Sequence, residues 1–323
     1  MRLVIVACLS LLPLSAGAAE PSAEKGSVHV RPGDQTDVPP LYRLDAHDFA
    51  YELTPEYTMP SIGVRVAHLR FPSPVRSPHP ENNTVHALYY RPDGPGPFPG
   101  VIVLDITAGD QTVSRAIATH LAQHQIAALF VQMAYYGPRR PPGTRLRLLS
   151  TDVLHTTAAV RQTILDVRAA AAWMASRPEL DARRLGILGT SLGSFIGTLA
   201  AEMEPRLGRV AILLGGGGLV EGFYDHPQAA PYRQVYEALG GTKEKLARLL
   251  APYDPLTCAG NLKTHCLLMI AGKRDEVVPP KMAEALWRAA GKQKIVWYDC
   301  THYTSVLYIV SAMAEVVKHF GAP

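Results

Sequence analysis

No run of five like charges occurs in these 323 residues, and the formal net charge is only +4. The concentrated basic footprint that accompanies nucleic-acid binding is therefore missing. The four cysteines include no C-x-x-C pair, so the spacings of zinc sites and thioredoxin-like motifs are absent, and no metal or cofactor is implied. After the first residues no apolar run approaches the roughly 20 residues needed to span a bilayer. No repeat and no long linker after residue 40 is visible. Gly215 to Gly218 form a glycine run, but no Lys-Ser/Thr follows it, which excludes a P-loop. What is present is a chain 47% hydrophobic and 19% charged, enough to bury a large core.

The start of the chain reads as a processing signal. Arg2 precedes the apolar stretch Leu3 to Leu14, and Ala16-Gly17-Ala18 supplies an A-x-A cleavage site. Residues 1–19 are predicted to be a signal peptide, with an uncleaved anchor as the alternative. The mature chain is expected to be exported, periplasmic or extracellular, with no integral membrane segment. Cleavage removes Cys8 and leaves Cys258, Cys266 and Cys300. An oxidising compartment permits one disulfide, with Cys258 and Cys266 nearest in sequence, or the thiols are simply buried. Residues 20–40 are rich in Pro, Gly and charge without periodicity and are expected to be a mobile leader. Residues 41–323 then form one domain.

Val64 to Phe71 and Thr84 to Tyr90 read as a pair of antiparallel edge strands. Beyond Asp93-Gly94-Pro95-Gly96-Pro97 the pattern changes. Short apolar runs (Val101 to Leu104, Ile126 to Met133, Leu185 to Leu188, Val210 to Leu214, Cys266 to Ala271, Ile295 to Tyr298) alternate with amphipathic stretches. Unbroken apolar strands separated by helices predict a mostly parallel sheet covered on both faces. The stretch 219–262 is too long for a simple crossover and contains a helical pattern at Tyr232 to Leu250. It is expected to lie over the strand ends as a small lid.

Gly189-Thr190-Ser191-Leu192-Gly193 follows the buried run Leu185 to Leu188 and precedes an amphipathic stretch. A nucleophilic serine must project from a tight strand-to-helix turn, and glycines remove side chains that would clash there. The new helix's first amides then lie beside the reacting carbonyl. Asp275 follows Leu268 to Gly272, a buried run ending in glycine, and precedes Val277-Val278-Pro279-Pro280. A carboxylate there can fix a histidine's tautomer and stabilise its imidazolium. Glu276 and Asp299 are neighbouring acids without that setting. His302 comes between the last apolar run and the last helix; His265 and His319 are expected at the wrong end or face. The order Ser, Asp, His is the one α/β hydrolases use.

From roughly Val64 to Phe320 the sequence resembles the dienelactone hydrolase-like and acetyl xylan esterase-like branch of the α/β hydrolases. The resemblance rests on the nucleophile motif, on Asp166 to Trp173 with Arg177 to Gly186 leading into it, and on Leu104-Asp105-Ile106-Thr107, similar to an acidic-Ile-Phe-Gly oxyanion loop. It implies an α/β-hydrolase fold with a mostly parallel eight-stranded sheet and a small lid. It also implies Ile106 and Leu192 as oxyanion donors and hydrolysis of a small-molecule or carbohydrate ester. Dienelactone hydrolases proper use cysteine where this chain has Ser191, which shifts the expectation towards ordinary esters. Ala108 stands where glycine is frequent, and so does Ser194.

Three further readings are weaker. Tyr135, Tyr136 and Arg139 or Arg140 follow a strand on the expected active-site side, where an arginine could hold a carboxylate or sugar oxygens; a solvated loop is the alternative. Tyr224 and Tyr303 could line a pocket or pack under the lid. A serine peptidase of the same fold and a catalytically silent binding module are the rival functions, though a peptidase of this type usually carries a large extra domain.

Overall fold

The computed structural model describes residues 23–107 and 109–322; the expected signal peptide and Ala108 lie outside them. In chain order the elements are β1 (Glu24–Val30), β2 (His47–Met59), β3 (Val64–Pro72), β4 (Thr84–Pro92), β5 (Phe98–Leu104), α1 (Thr112–Gln123), β6 (Ala127–Val131), α2 (Val153–Ala175), β7 (Leu180–Thr190), α3 (Leu192–Met203), β8 (Arg209–Leu213), α4 (Leu219–Phe223), α5 (Ala230–Ala238), α6 (Lys243–Leu250), β9 (Cys266–Gly272), α7 (Pro280–Ala289), β10 (Lys294–Tyr298) and α8 (Ile309–Gly321).

Among the described residues ten strands form one sheet, in the order β1-β2-β3-β4-β6-β5-β7-β8-β9-β10. The expected eight is thus corrected to ten. From β6 to β10 the pairing is parallel; β1 to β4 are antiparallel, and β4 pairs antiparallel with β6. The unbroken apolar run in β5 has a direct cause. Ile102 and Leu104 enter the core layer beneath α2, α3 and α7, while Val101 and Val103 enter the layer beneath α1 and α8. A strand covered on both faces has no polar side to present. Among the described residues no helix is long and apolar enough to cross a membrane.

The pair β3–β4 forms as expected, from Val64↔Pro92 to Pro72↔Thr84. It is not at the edge, because β2 and β1 lie outside it. The mobile leader expected at 20–40 is corrected for its described part. Residues 24–30 pair with β2 from Glu24↔Leu53 to Val30↔His47, and Val28, Val30 and Val38 are buried. Arg177 clamps this strand through Glu24 (Nη2 to Oε2 3.2 Å) while its guanidinium lies 5.2 Å over the ring of Trp173. The sheet therefore reaches back to residue 24. The three cysteines described are free thiols: Cys258 half-buried, Cys266 exposed and Cys300 buried.

The chain between β8 and β9 carries α4, α5 and α6. It leaves the C-terminal end of β8, beside the residue that ends β7. The single helical pattern expected at Tyr232 to Leu250 resolves into two helices separated at Gly240. Its two ends are tied together by Asp254, whose carboxylate accepts the amides of Gly218 (2.8 Å) and Leu219 (2.6 Å). The glycine run thus presents its last amides to a carboxylate of the chain itself. Asp254→Ala should cost about 1–2 kcal/mol, the range of a lost helix cap. Limited proteolysis should then cut within 224–253 faster than in the parent protein.

Glu202, in the last turn of α3, is almost fully buried, and neither carboxylate oxygen has a hydrogen-bond partner among the described residues. Burial, with the charge of Asp254, holds its carboxyl well above the ordinary 4.5. The unfolded chain releases this proton near 4.5, whereas the folded chain keeps it to higher pH. Stability present below 4.5 is therefore lost as pH rises towards the raised folded value. Glu202→Gln removes this dependence. Thermal melts should show the variant gaining on the parent protein as pH climbs from 4.5 to 8; a pH-independent difference would count against the buried neutral acid.

Candidate active site

The turn from β7 into α3 places Ser191 at φ 53°, ψ −117°, a conformation non-glycine residues avoid unless surrounding structure enforces it. Two flanking glycines let the turn close. A Cβ on Gly189 would stand 2.0 Å from the Gly193 carbonyl oxygen, and one on Gly193 would stand 2.5 Å from that of Asp105. The amide of Ser191 donates to Leu213 O on β8 (2.9 Å), and Ser194 Oγ donates to Ser191 O (2.5 Å). The chain is thus held in the strained turn from both sides.

Asp275 sits in the turn after β9. Its Oδ1 accepts the amides of Val277 (2.9 Å) and Val278 (2.8 Å), leaving Oδ2 to face His302 Nδ1 at 2.8 Å. His302 follows β10, and its Nε2 lies 3.0 Å from Ser191 Oγ. The three side chains form one continuous hydrogen-bonded chain, with Asp275 buried and His302 reaching the surface on one side. The competing acids are otherwise engaged. Glu276 Oε2 accepts the backbone amide of His302 (3.3 Å), and Asp299 pairs with Arg274 at 2.9 Å. His265 is buried, its Nδ1 3.0 Å from Asn261 O, and the ring of His319 packs on Phe320.

The close approach of Gly193 to Leu104 and Asp105 sets the β5–α1 loop, which carries Ile106, against the start of α3, where Leu192 lies. The loop that carries Ile106 is thereby brought against the turn that carries Ser191 and Leu192. Asp105 precedes Ile106 in this loop. It is buried, and its Oδ1 accepts Ser114 Oγ at 2.8 Å. Burial raises its carboxyl above the ordinary range, opposed by the Ser114 hydroxyl and the amides of Ile106 and Gln111.

Tyr136 is buried, and its hydroxyl donates to Thr107 O at 3.0 Å, so it braces this loop from outside. Tyr135 is also buried, its ring 4.6 Å from that of His155. Arg139 corrects the expectation of a substrate-binding or solvated arginine: it is fully buried. Its guanidinium donates to Gln132 O (3.0 Å) and Asn82 O (2.8 Å) and pairs with Asp166 at 2.7 Å. With both terminal nitrogens engaged and the side chain sealed from solvent, it has no exposed face for a ligand. Arg140 reaches back to Tyr135 O at 3.4 Å. Tyr303 remains at the mouth, exposed, with its ring edge-on to His302 at 5.8 Å. Tyr224 donates to Glu237 (2.7 Å) within the insertion. Among the described residues no group of three or more His, Cys, Asp or Glu is arranged to hold a metal ion.

Two family models match parts of the chain: the prolyl oligopeptidase family over residues 157–305 and the α/β hydrolase domain containing 18 family over residues 77–214. An uncharacterized protein of Mycobacterium tuberculosis is 26% identical over 229 residues, covering 68% of this chain and 53% of its own length; the chain spans about half the length of that relative. Among solved structures, an acetyl xylan esterase from Paenibacillus sp. R4 superposes with TM-score 0.67 at 18% identity, covering 83% of this chain and 88% of that one. Acetyl xylan esterase 1 from Thermoanaerobacterium sp. JW/SL YS485 gives 0.62 at 20% identity, covering 83% and 87%. By its sheet, its strand-to-helix serine turn and these structural matches, the chain has the α/β-hydrolase fold.

Proposed function

We propose that this protein is a serine hydrolase that cleaves carboxylic esters through an acyl-enzyme. The observation that carries the reading is the unbroken chain Ser191 Oγ–His302–Asp275, with contacts of 3.0 and 2.8 Å, built at a serine of positive φ. His302 Nε2 takes the Ser191 proton as Oγ attacks the ester carbonyl. Asp275 Oδ2 accepts the Nδ1–H and stabilises the imidazolium. The amides of Ile106 and Leu192 receive the oxyanion. The proton passes to the leaving alcohol, and water, with His302 again as base, releases the acid. The acetyl xylan esterases among the similar structures support an acetylated carbohydrate or another small ester as substrate.

A fluorophosphonate probe should label the folded protein at Ser191, mapped by mass spectrometry, and p-nitrophenyl acetate should be turned over. Absence of both would remove the reading in favour of a silent binding protein. A second reading has its own support, since the prolyl oligopeptidase model covers Ser191, Asp275 and His302. A peptidase would cleave peptide anilides at rates comparable to esters of the same acid. Export through residues 1–19 belongs to the same proposal. Sequencing the N-terminus of protein recovered from the periplasmic or culture fraction tests it; an intact Met1 would overturn it.

A further inference from the structure

From Tyr303 to Ala314 the chain carries no charged side chain. This stretch begins next to His302 and runs through a 3-10 turn (Thr304–Tyr308) into α8. Ala312, Met313, Val316 and Phe320 point into the core. Tyr303, Val306, Leu307 and Val310 are exposed, Leu307 and Val310 to 80% and 81%. A second apolar cluster, Tyr232, Val235 and Leu239, is exposed on and just beyond α5. The segment leading into α5 is anchored beside the same site, with His226 Nε2 2.7 Å from Glu276 O and the ring of Phe223 6.2 Å from that of Phe195 on α3. Large apolar side chains left exposed in clusters mark a candidate site of interaction.

Resting on the ester-hydrolase reading, we propose that these two clusters form a landing surface through which the site takes apolar esters presented at a lipid–water interface. A second copy of the chain fits poorly. A stable interface needs about 800 Å² per partner from some 20–30 residues, with a polar rim, whereas the face beside His302 is a handful of uncharged side chains. Pairing copies through it would also press protein against both His302 loops, since the Tyr303 ring contacts His302 directly. A lipid surface asks only for apolar area, which these exposed side chains supply, and it delivers the ester at the mouth.

The test uses the full-length protein and the double variant L307D/V310D, both substitutions on exposed side chains outside the triad. On tributyrin, the parent rate should rise at least tenfold as concentration passes the solubility limit. The variant should lose that rise while hydrolysing dissolved p-nitrophenyl acetate within twofold of the parent. In parallel, S191A protein should co-float with triolein emulsion, and S191A/L307D/V310D should co-float at least tenfold less. Equal flotation, or a variant that keeps the tributyrin rise, overturns the proposal. So does a parent dimer in sedimentation that the variant dissociates, which would assign the face to a second copy. Flotation does not depend on turnover. Loss of p-nitrophenyl acetate hydrolysis by the parent protein would therefore count against the ester reading, and loss of flotation against this one.

Discussion

Ser191→Ala should lower kcat for p-nitrophenyl acetate by about 10⁶-fold, with fluorophosphonate labelling abolished and the fold intact. The size follows from the site acting as a unit. With Oγ gone, His302 has no proton to take and no covalent intermediate forms, leaving only the oxyanion amides and substrate binding. Asp275→Asn should cost about 10⁴-fold. An amide can still meet His302 at 2.8 Å, but it offers a donor where Nδ1–H needs an acceptor. Thermal melts should place Ser191→Ala at or above the parent Tm, because the turn is held by Ser191's backbone contacts to Leu213 and Ser194 rather than by its hydroxyl. Kinetic loss without loss of stability is the signature; a residual rate above about one-hundredth of the parent would exclude Ser191 as nucleophile.

Arg139→Ala should be the most damaging single substitution for stability, at about 3–5 kcal/mol in chemical denaturation. The reason is what it strands. Asp166 would keep only the hydroxyl of Ser73 (2.6 Å) in a fully buried position, the carbonyl of Gln132 would lose the Arg139 donor, and that of Asn82 would keep only Gln162 Nε2 (3.1 Å). Burial already pushes the Asp166 carboxyl up against the pull of Arg139. Without the guanidinium it would take up a proton, and the variant's deficit should shrink as pH is lowered. Arg139→Met combined with Asp166→Leu should recover part of the loss, since removing both charges ends the desolvation problem while the Gln132 carbonyl still lacks the guanidinium donor. If the single variant proved near neutral, the pair would not be the anchor described.

These two cases divide what the sequence disclosed from what it hid. Ser191, Asp275 and His302 each stand at the end of an apolar run, and order along the chain sufficed to select them from many serines, acids and histidines. Their settings are local, so they could be read. The role of Arg139 depends on Asp166, Asn82 and Ser73, brought near it only by the packing of α2 against the sheet, and no spacing announces that. The same holds for β1. Val28 and Val30 alternate as a strand should, but two valines in a polar segment cannot be told from chance until the edge of β2 is there to receive them. Asp254 reads as a turn residue until the amides of Gly218 and Leu219 arrive at its carboxylate.

That last contact bears on how such a scaffold can diversify. Because Asp254 brings the start and finish of the insertion within hydrogen-bonding distance, the ends of the segment are fixed whatever lies between them. The entropy of closing a loop rises only with the logarithm of its length, about 0.6 kcal/mol per doubling. At this position beside the strand ends the scaffold can therefore absorb longer, shorter or differently folded segments at little thermodynamic penalty. It is the place where recombination could retune what reaches Ser191 while the sheet that aims it stays the same.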